Sequence, residues 1–184
     1  MTISSIQIRN ARAEDVPELR RLIEASVHGL QAADYTESQR NAALGNALGV
    51  DTQLIADRTY FIAECREPTG SLVMAGCGGW SRRKTLFGAD LGPGREAALL
   101  DPATDAAKIR AIFVHPDWAR QGIGSLILNH CEEAARTAGF HRFEMGSTLT
   151  GVALYTLKGY REIGRIDVPL PNGEALPVVK MSKP

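Results

Sequence analysis

The sequence is poor in aromatic residues (6%), holds only three cysteines, and carries no formal net charge, with 21 basic residues set against 21 acidic ones. Each shortage argues against a class of function. Without a basic surplus there is no broad electrostatic footprint for a phosphate backbone, so no nucleic-acid partner is expected. Cys65, Cys77 and Cys131 are odd in number and widely spaced. They form neither a disulfide framework nor a CxxC pair. His28 and His141 have no Cys or His at metal spacing, so no metal is expected. The apolar stretches are broken by Gly or charge well below the roughly 20 residues of a spanning helix, so no membrane partner is expected. Met1-Thr2-Ile3-Ser4-Ser5 has no basic region leading into an apolar run, which reads as no secretory signal. With three reduced cysteines, this gives a cytoplasmic reading.

What is present is an ordinary globular balance, 44% apolar and 23% charged over 184 residues. That length suffices for one domain, 1–184, with a sizeable core. Ile6 to Arg9 alternates as a strand. Asp15 and Pro17 open a helix with a stripe at Val16, Leu19, Leu22, Ile23, Ser26 and Val27. Thr36 and Gln39 make a capping box for a short second helix through about Leu44. Thr59 to Cys65 and Ser71 to Trp80 form a hairpin around Arg66-Glu67-Pro68-Thr69-Gly70. Gly76, Gly78 and Gly79 weaken the end of that second strand and mark a bulge or a close approach. Residues 81–107 read as a long irregular insertion, the kind of loop that is functional or mobile. Lys108 to Val114 reads as an interior strand. Ile123 to Ala138 is the clearest helix, with Ile123, Ile127, Cys131, Ala134 and Ala138 on one face and Gly139 as its stop. Arg142 to Ser147 is a strand and Val152 to Leu157 a short helix. Tyr160 to Val168 and Ala175 to Met181 close as an antiparallel pair. The order predicts a mixed α/β fold, a central sheet of six to seven strands with helices on both faces. The strands at Lys108 and Arg142 should run parallel.

The stretch Val114-His115-Pro116-Asp117-Trp118-Ala119-Arg120-Gln121-Gly122-Ile123-Gly124-Ser125 carries the chemistry. A buried strand ends, and two glycines lead into a long helix. The first helical N–H groups have no internal partner and sit at the positive end of the helix dipole. Gly122 and Gly124 let an anion approach the backbone, and Arg120 adds charge. A phosphate or pyrophosphate is expected there. A P-loop requires GxxxxGK[ST], which is absent. A dinucleotide fingerprint fits poorly, since Ile127 stands at its third glycine, although Glu144 lies where a ribose-binding acid would be sought. An NAD(P)-binding oxidoreductase therefore stays open as a lesser alternative.

Ala119-Arg120-Gln121-Gly122-Ile123-Gly124 resembles the acetyl-CoA motif [QR]-x-x-G-x-[GA] of the GCN5-related N-acetyltransferases, departing at Ala119. Gly151 to Tyr160 resembles that family's A-x-x-[FL]-Y-x-x-x-G-[FY] segment, and Ile8-Arg9-x-Ala11-x-x-x-Asp15 its common opening. Three motifs in order cover most of the chain, leaving out 46–57 and 81–107. The resemblance implies acetyl transfer from acetyl-CoA to a primary amine of a small molecule or peptide by direct attack. It implies that the backbone of Ile112, Phe113 and Val114 holds the pantetheine arm. Arg120, Gln121, Gly122, Ile123, Gly124 and Ser125 would bind pyrophosphate, with Lys158 reaching a CoA phosphate. Tyr155 matches the family's general acid for the leaving thiolate. Many members place a Glu on the central strand as base, where this chain has Lys108 and Arg110. Glu144 is the base assigned here, with His28, Tyr35, Glu64 and ordered water as alternatives. Trp80 is a candidate wall of the acceptor pocket, and Arg82-Arg83-Lys84 a candidate contact for the 3′-phosphate. Homodimers are frequent in this family, so one is expected. The missing strand carboxylate keeps open a CoA-binding sensor or regulatory module without turnover.

Overall fold

The computed structural model describes residues 5–67 and 69–184. Residues 1–4, read above as lacking a secretory signal, and Pro68 of the predicted turn lie outside the described residues. The elements are β1 (Ile6–Asn10), α1 (Val16–Leu30), α2 (Glu37–Ala43), α3 (Thr52–Ala56), β2 (Tyr60–Arg66), β3 (Leu72–Ser81) and β4 (Ala107–Val114). Then follow α4 (Ile123–Thr137), β5 (Phe143–Thr148), α5 (Val152–Leu157), β6 (Arg161–Pro169) and β7 (Ala175–Lys183). The strands form one seven-stranded sheet in the order β1-β2-β3-β4-β5-β7-β6. Every pairing is antiparallel except β4 with β5, the parallel step expected of a βαβ unit.

Local chemistry explains the elements. The Thr36 hydroxyl accepts from the Gln39 N–H at 3.1 Å and the Gln39 side chain accepts from the Thr36 N–H at 3.0 Å, completing the capping box. In α1, Leu19, Leu22, Ile23, Ser26 and Val27 are buried, as their spacing requires. One apolar cluster packs α4 and α5 on one face of the sheet, and a second packs α1, α2 and α3 on the other. The stripe of α4 differs from the expected one. Ile123, Ile127, Leu128, Cys131, Glu132 and Ala135 are buried, while Ala138 lies beyond the helix and is exposed. The buried Glu132 carboxylate is held by Lys183, Arg136 and the Tyr160 hydroxyl.

The β3 glycines do not weaken the strand, which runs to Ser81 with 75–81 buried. They let α4 lie close. A Cβ on Gly76 would stand 2.8 Å from Ile127 Cδ1, and one on Gly78 2.6 Å from Ile127 Cγ2. The register shift expected there occurs where Gly79 pairs with Arg110 and Cys77 with Phe113, so Ala111 and Ile112 bulge out of β4 opposite Gly78. Ala111 has φ 52°, a left-handed conformation that costs a residue with a Cβ about 1–2 kcal/mol. The Tyr60 hydroxyl, donating to the Ala111 carbonyl at 3.3 Å, supports it.

Two segments outside the resemblance meet in the structure. Residues 46–57 contain α3, which the sequence reading missed. Of the expected insertion 81–107, Ser81 ends β3 and Ala107 begins β4; the residues between are irregular apart from one bridge between Arg83 and Leu99, yet they are tied down. Arg83 pairs with Asp57 at 2.7 Å, and Arg95 pairs with Asp51 at 2.9 Å. Arg110 of β4 reaches Asp51 at 2.7 Å and also donates to the carbonyls of Thr85 at 3.0 Å and Gly88 at 2.7 Å. Arg110 and Asp51 are 3% and 1% exposed, so neither charge has water as a fallback. Breaking such a pair leaves a buried charge uncompensated, at a cost of roughly 3–5 kcal/mol. Asp51→Ala should therefore lose about that much stability in urea denaturation followed by circular dichroism, and a midpoint shift worth under about 1 kcal/mol would show that the pair is not needed.

Candidate active site

β4 and β5 pair only at Ala107 with Phe143 and at Lys108 with Glu144. Beyond that they part, and a cleft opens between Ile109–Phe113 on one side and Met145–Thr148 on the other. Parallel strands exchange slanted hydrogen bonds, so when they diverge both facing edges are left with unpaired backbone groups. The Ala111 bulge bends β4 at this point. Ile112, Phe113 and Val114, the backbone positions assigned to the pantetheine arm, therefore lie on the parting half of β4, and the first two line the cleft.

At the top of β4 the chain makes a 3-10 turn at Pro116–Trp118 and enters α4 through two left-handed residues, Arg120 (φ 62°) and Gly122 (φ 83°). Gly122 caps α4 without a side-chain bond, and no acid stands in the first turn. The N–H groups of Ile123, Gly124 and Ser125 therefore have no internal acceptor. A Cβ on Gly122 would meet nothing within 4 Å, so the space before the turn is open. Gly124 also has a packing role beyond the anion approach assigned to it. Its Cβ would lie 3.2 Å from Leu154 Cδ2 of α5 and 3.7 Å from Val114 Cγ2 of β4. The residue without a side chain lets α4, α5 and the end of β4 converge. Arg120 is exposed, and the Gln121 amide donates to the Asp117 carbonyl at 3.3 Å. The turn carries open donors, a positive dipole end and a cation, which is a fit for pyrophosphate. Lys158 follows α5 half-buried, and its ammonium makes no ion pair among the described residues.

Tyr155 lines the cleft from α5 at 8% exposure, and its hydroxyl makes no hydrogen bond among the described residues. Its ring is positioned by two neighbours. Tyr160 meets it edge-on at 6.0 Å, and a Cβ on Gly151 would stand 2.7 Å from its Cε2. Burial raises its phenol well above the usual value, so it is protonated throughout the physiological range.

The assigned base is elsewhere. Glu144 lies where β4 and β5 still pair, bound to the Lys108 ammonium at 2.5 Å, and does not line the cleft. Its place along the strand explains this. Ser147, on the parting half of β5, lines the cleft, while Glu144 sits before the strands separate. Of the other candidate bases, Glu64 is paired with Arg9 at 2.8 Å. Tyr35 donates to the Pro177 carbonyl and accepts from the Leu149 N–H, and burial pushes its phenol up to about 12. His28 sits in the last turn of α1, half-buried and outside the cleft lining. Trp80 does not line the cleft either; it is 3% exposed and packs edge-on against Phe140. In the basic run, Arg83 is engaged by Asp57 and Lys84 pairs with Glu96 at 3.5 Å.

The structure adds residues the sequence reading missed. Gln31, at the end of α1, and Leu48, Leu86 and Phe87 line the cleft. Arg110 does too, and is buried against Asp51. Phe87 and Leu86 belong to the 81–107 segment, so only its loop character was a signal. Gln31 had no signal, since its position depends on the sheet α1 packs against. Among the described residues no group of three or more His, Cys, Asp or Glu is placed to hold a metal ion. No helix among them is long and apolar enough to cross a membrane.

A family model described as an acetyltransferase (GNAT) domain matches residues 56–162. The sequence matches none of the curated proteins. Among solved structures, a GCN5-related N-acetyltransferase from Rhodopseudomonas palustris is 23% identical with TM-score 0.69, covering 100% of this chain and 98% of that one. PaiA N-acetyltransferase from Thermoplasma acidophilum, in complex with coenzyme A, is 13% identical with TM-score 0.61, covering 97% and 98%. YncA from Salmonella typhimurium, with its cofactor acetyl-CoA, is 18% identical with TM-score 0.59, covering 97% and 93%. These likenesses establish the fold.

All four tyrosines, Tyr35, Tyr60, Tyr155 and Tyr160, have phenols raised chiefly by burial. An acid whose folded pKa is raised holds its proton where the unfolded chain releases it, so stability falls as pH climbs past the ordinary phenol value of about 10. At a pH of about 10.5 the native protein should show almost no phenolate absorbance, and denaturant should release it. Half-ionised native phenols at that pH would contradict the burial.

Proposed function

Because the chain belongs to the GNAT acetyltransferase family, we propose that it transfers an acetyl group from acetyl-CoA to a primary amine by direct attack. The observation that carries this reading is the convergence at Gly124. There the donor-rich start of α4, the parting end of β4 and the helix bearing Tyr155 come within one side chain's reach. Acetyl-CoA supplies a thioester whose acyl carbon is open to an amine.

Each part of the protein has a definite task. The N–H groups of Ile123, Gly124 and Ser125, with Arg120, bind pyrophosphate oxygens. Lys158 adds a cation for a CoA phosphate. The unpaired edge of β4 at Ile112, Phe113 and Val114 pairs with the pantetheine amides. A β4 N–H polarises the thioester carbonyl and stabilises the oxyanion that develops on it. The amine nitrogen forms the new C–N bond, the C–S bond breaks, and Tyr155 donates its proton to the departing sulfur. The proton lost by the amine passes to water, from which Tyr155 regains its own, since among the described residues no carboxylate or imidazole lines the cleft. The NAD(P) alternative loses its footing because the family match is to an acetyltransferase domain. The absent carboxylate favours one second reading, a CoA-binding module without turnover.

Calorimetric titration with acetyl-CoA tests the first step. Gly122→Val forces a β-branched residue to φ 83° and should weaken binding at least tenfold while the far-ultraviolet spectrum is unchanged. Equal affinity in the variant would refute the anion turn. Tyr155→Phe should lower kcat by roughly a hundredfold with little change in acetyl-CoA affinity. Because burial holds the phenol protonated, kcat of the native protein should show no alkaline decline from Tyr155 up to a pH of about 10. Full activity in Tyr155→Phe would remove the acid assignment, and acetyl transfer to any amine would exclude the inactive module.

A further inference from the structure

Of the polar side chains lining the cleft that the chemistry above does not use, Arg110 and Ser147 are hydrogen-bonded within the protein, while Gln31 carries a buried oxygen without a partner. Gln31 closes α1, and its main chain is fully engaged. Its N–H donates to the Val27 carbonyl, and its own carbonyl accepts from Asp34 at 3.1 Å and Tyr35 at 3.0 Å. The side chain therefore projects from a fixed turn. Gln31 is 4% exposed and lines the cleft, and its Oε1 is buried with no hydrogen-bond partner. Leaving a buried amide oxygen unpaired costs about 1–3 kcal/mol, and folded proteins rarely do so without cause.

The surroundings restrict what could satisfy it. Arg110, the cation in the cleft wall, spends its Nη2 donors on Asp51 and the Gly88 carbonyl and donates from Nη1 to the Thr85 carbonyl. It has no fork to offer a substrate carboxylate. Asp51 is 1% exposed behind it and shared with Arg95, whose side chain reaches solvent, so the group of two arginines and one aspartate is net positive, with Arg110 its buried cation. An ammonium entering the cleft finds no countercharge and a positive neighbour. Leu48, Leu86 and Phe87 add apolar surface. An oxygen that only accepts, beside apolar walls and a positive field, suits an uncharged N–H donor on an apolar body.

We propose that Gln31 is the positioning residue for the acceptor. Its Oε1 accepts a hydrogen bond from the acceptor's neutral primary amine, and the acceptor is an amine with an apolar body and no carboxylate. This rests on the acetyl-transfer reading. It extends that reading by assigning the side chain that holds the amine and the substrate class.

The test uses phenethylamine as probe, against spermidine and glutamate, with the full-length chain and saturating acetyl-CoA. Wild type should acetylate phenethylamine with the highest kcat/KM. Gln31→Met keeps the length of the side chain and removes its hydrogen-bonding atoms. It should raise KM for phenethylamine about tenfold, with kcat and acetyl-CoA affinity within about threefold. Without acceptor, Gln31→Met should melt at the same temperature as wild type or higher, because an unpaired buried polar group has been removed. A merely structural glutamine would lower the melting temperature instead. Gln31→Ala should show the same rise in KM. An unchanged KM in both variants, a lowered melting temperature in Gln31→Met, or a preference for glutamate or spermidine overturns the inference while acetyl transfer stands. Failure of wild type to acetylate phenethylamine overturns the inference alone, and failure to bind acetyl-CoA overturns both.

Discussion

The arrangement of this protein depends on where two parallel strands stop pairing. β4 and β5 share two residue pairs, Ala107 with Phe143 and Lys108 with Glu144, and then separate. A sheet that stayed closed would satisfy its backbone internally and have no place for an extended ligand. The Ala111 bulge bends β4 away, and the cost of a left-handed alanine is offset by packing and by the Tyr60 hydroxyl on its carbonyl. The bulge in turn requires a partner strand that tolerates it. Gly78 lies opposite, and its missing side chain also lets Ile127 of α4 press onto the sheet. Helix contact, bulge and cleft are thus consequences of one another.

The charge distribution around the cleft follows from desolvation. Arg110 is buried at a position where family resemblance led us to look for a carboxylate, and a buried guanidinium needs compensation from every side. Asp51 at the start of α3 supplies the charge, and two carbonyls of the 81–107 segment supply the remaining acceptors. The segment that reads as an irregular insertion is therefore held against the cleft through the arginine beneath it. The same bonds make Arg110 a structural cation. The cleft keeps a phenol, an amide, the hydroxyls of Ser147 and Thr148 and apolar walls. Burial keeps the Tyr155 phenol protonated, and its ring is fixed by Gly151 and Tyr160.

Much of the fold was legible from periodicity. The stripe of α1, the capping box at Thr36 and the parallel βαβ step rest on local rules, and each has its expected form. The glycine turn into α4 was legible for the same reason, since positive φ at Gly122 and the orphan N–H groups of α4 are set within a few residues. Errors came where a role depends on distant partners. The β3 glycines read as a weak strand end because the helix that needs them lies some fifty residues onward. Glu144 read as a base because its placement beside Lys108, before the strands part, is a matter of register. Glu132 was not singled out in the sequence, and its burial depends on Lys183 and Tyr160 arriving from elsewhere in the chain.

The sequence by itself determined most of the order of elements, the glycine turn that opens α4 and the tyrosine on the helix beside it, because each is written in contiguous residues whose physics is local. Only the tertiary structure decided which groups share the cleft. Gln31, Leu48, Phe87 and Arg110 come from four different segments, and no spacing rule connects them. Their company is set by helix-on-sheet packing and by a buried ion pair, both of which act between residues far apart in the chain.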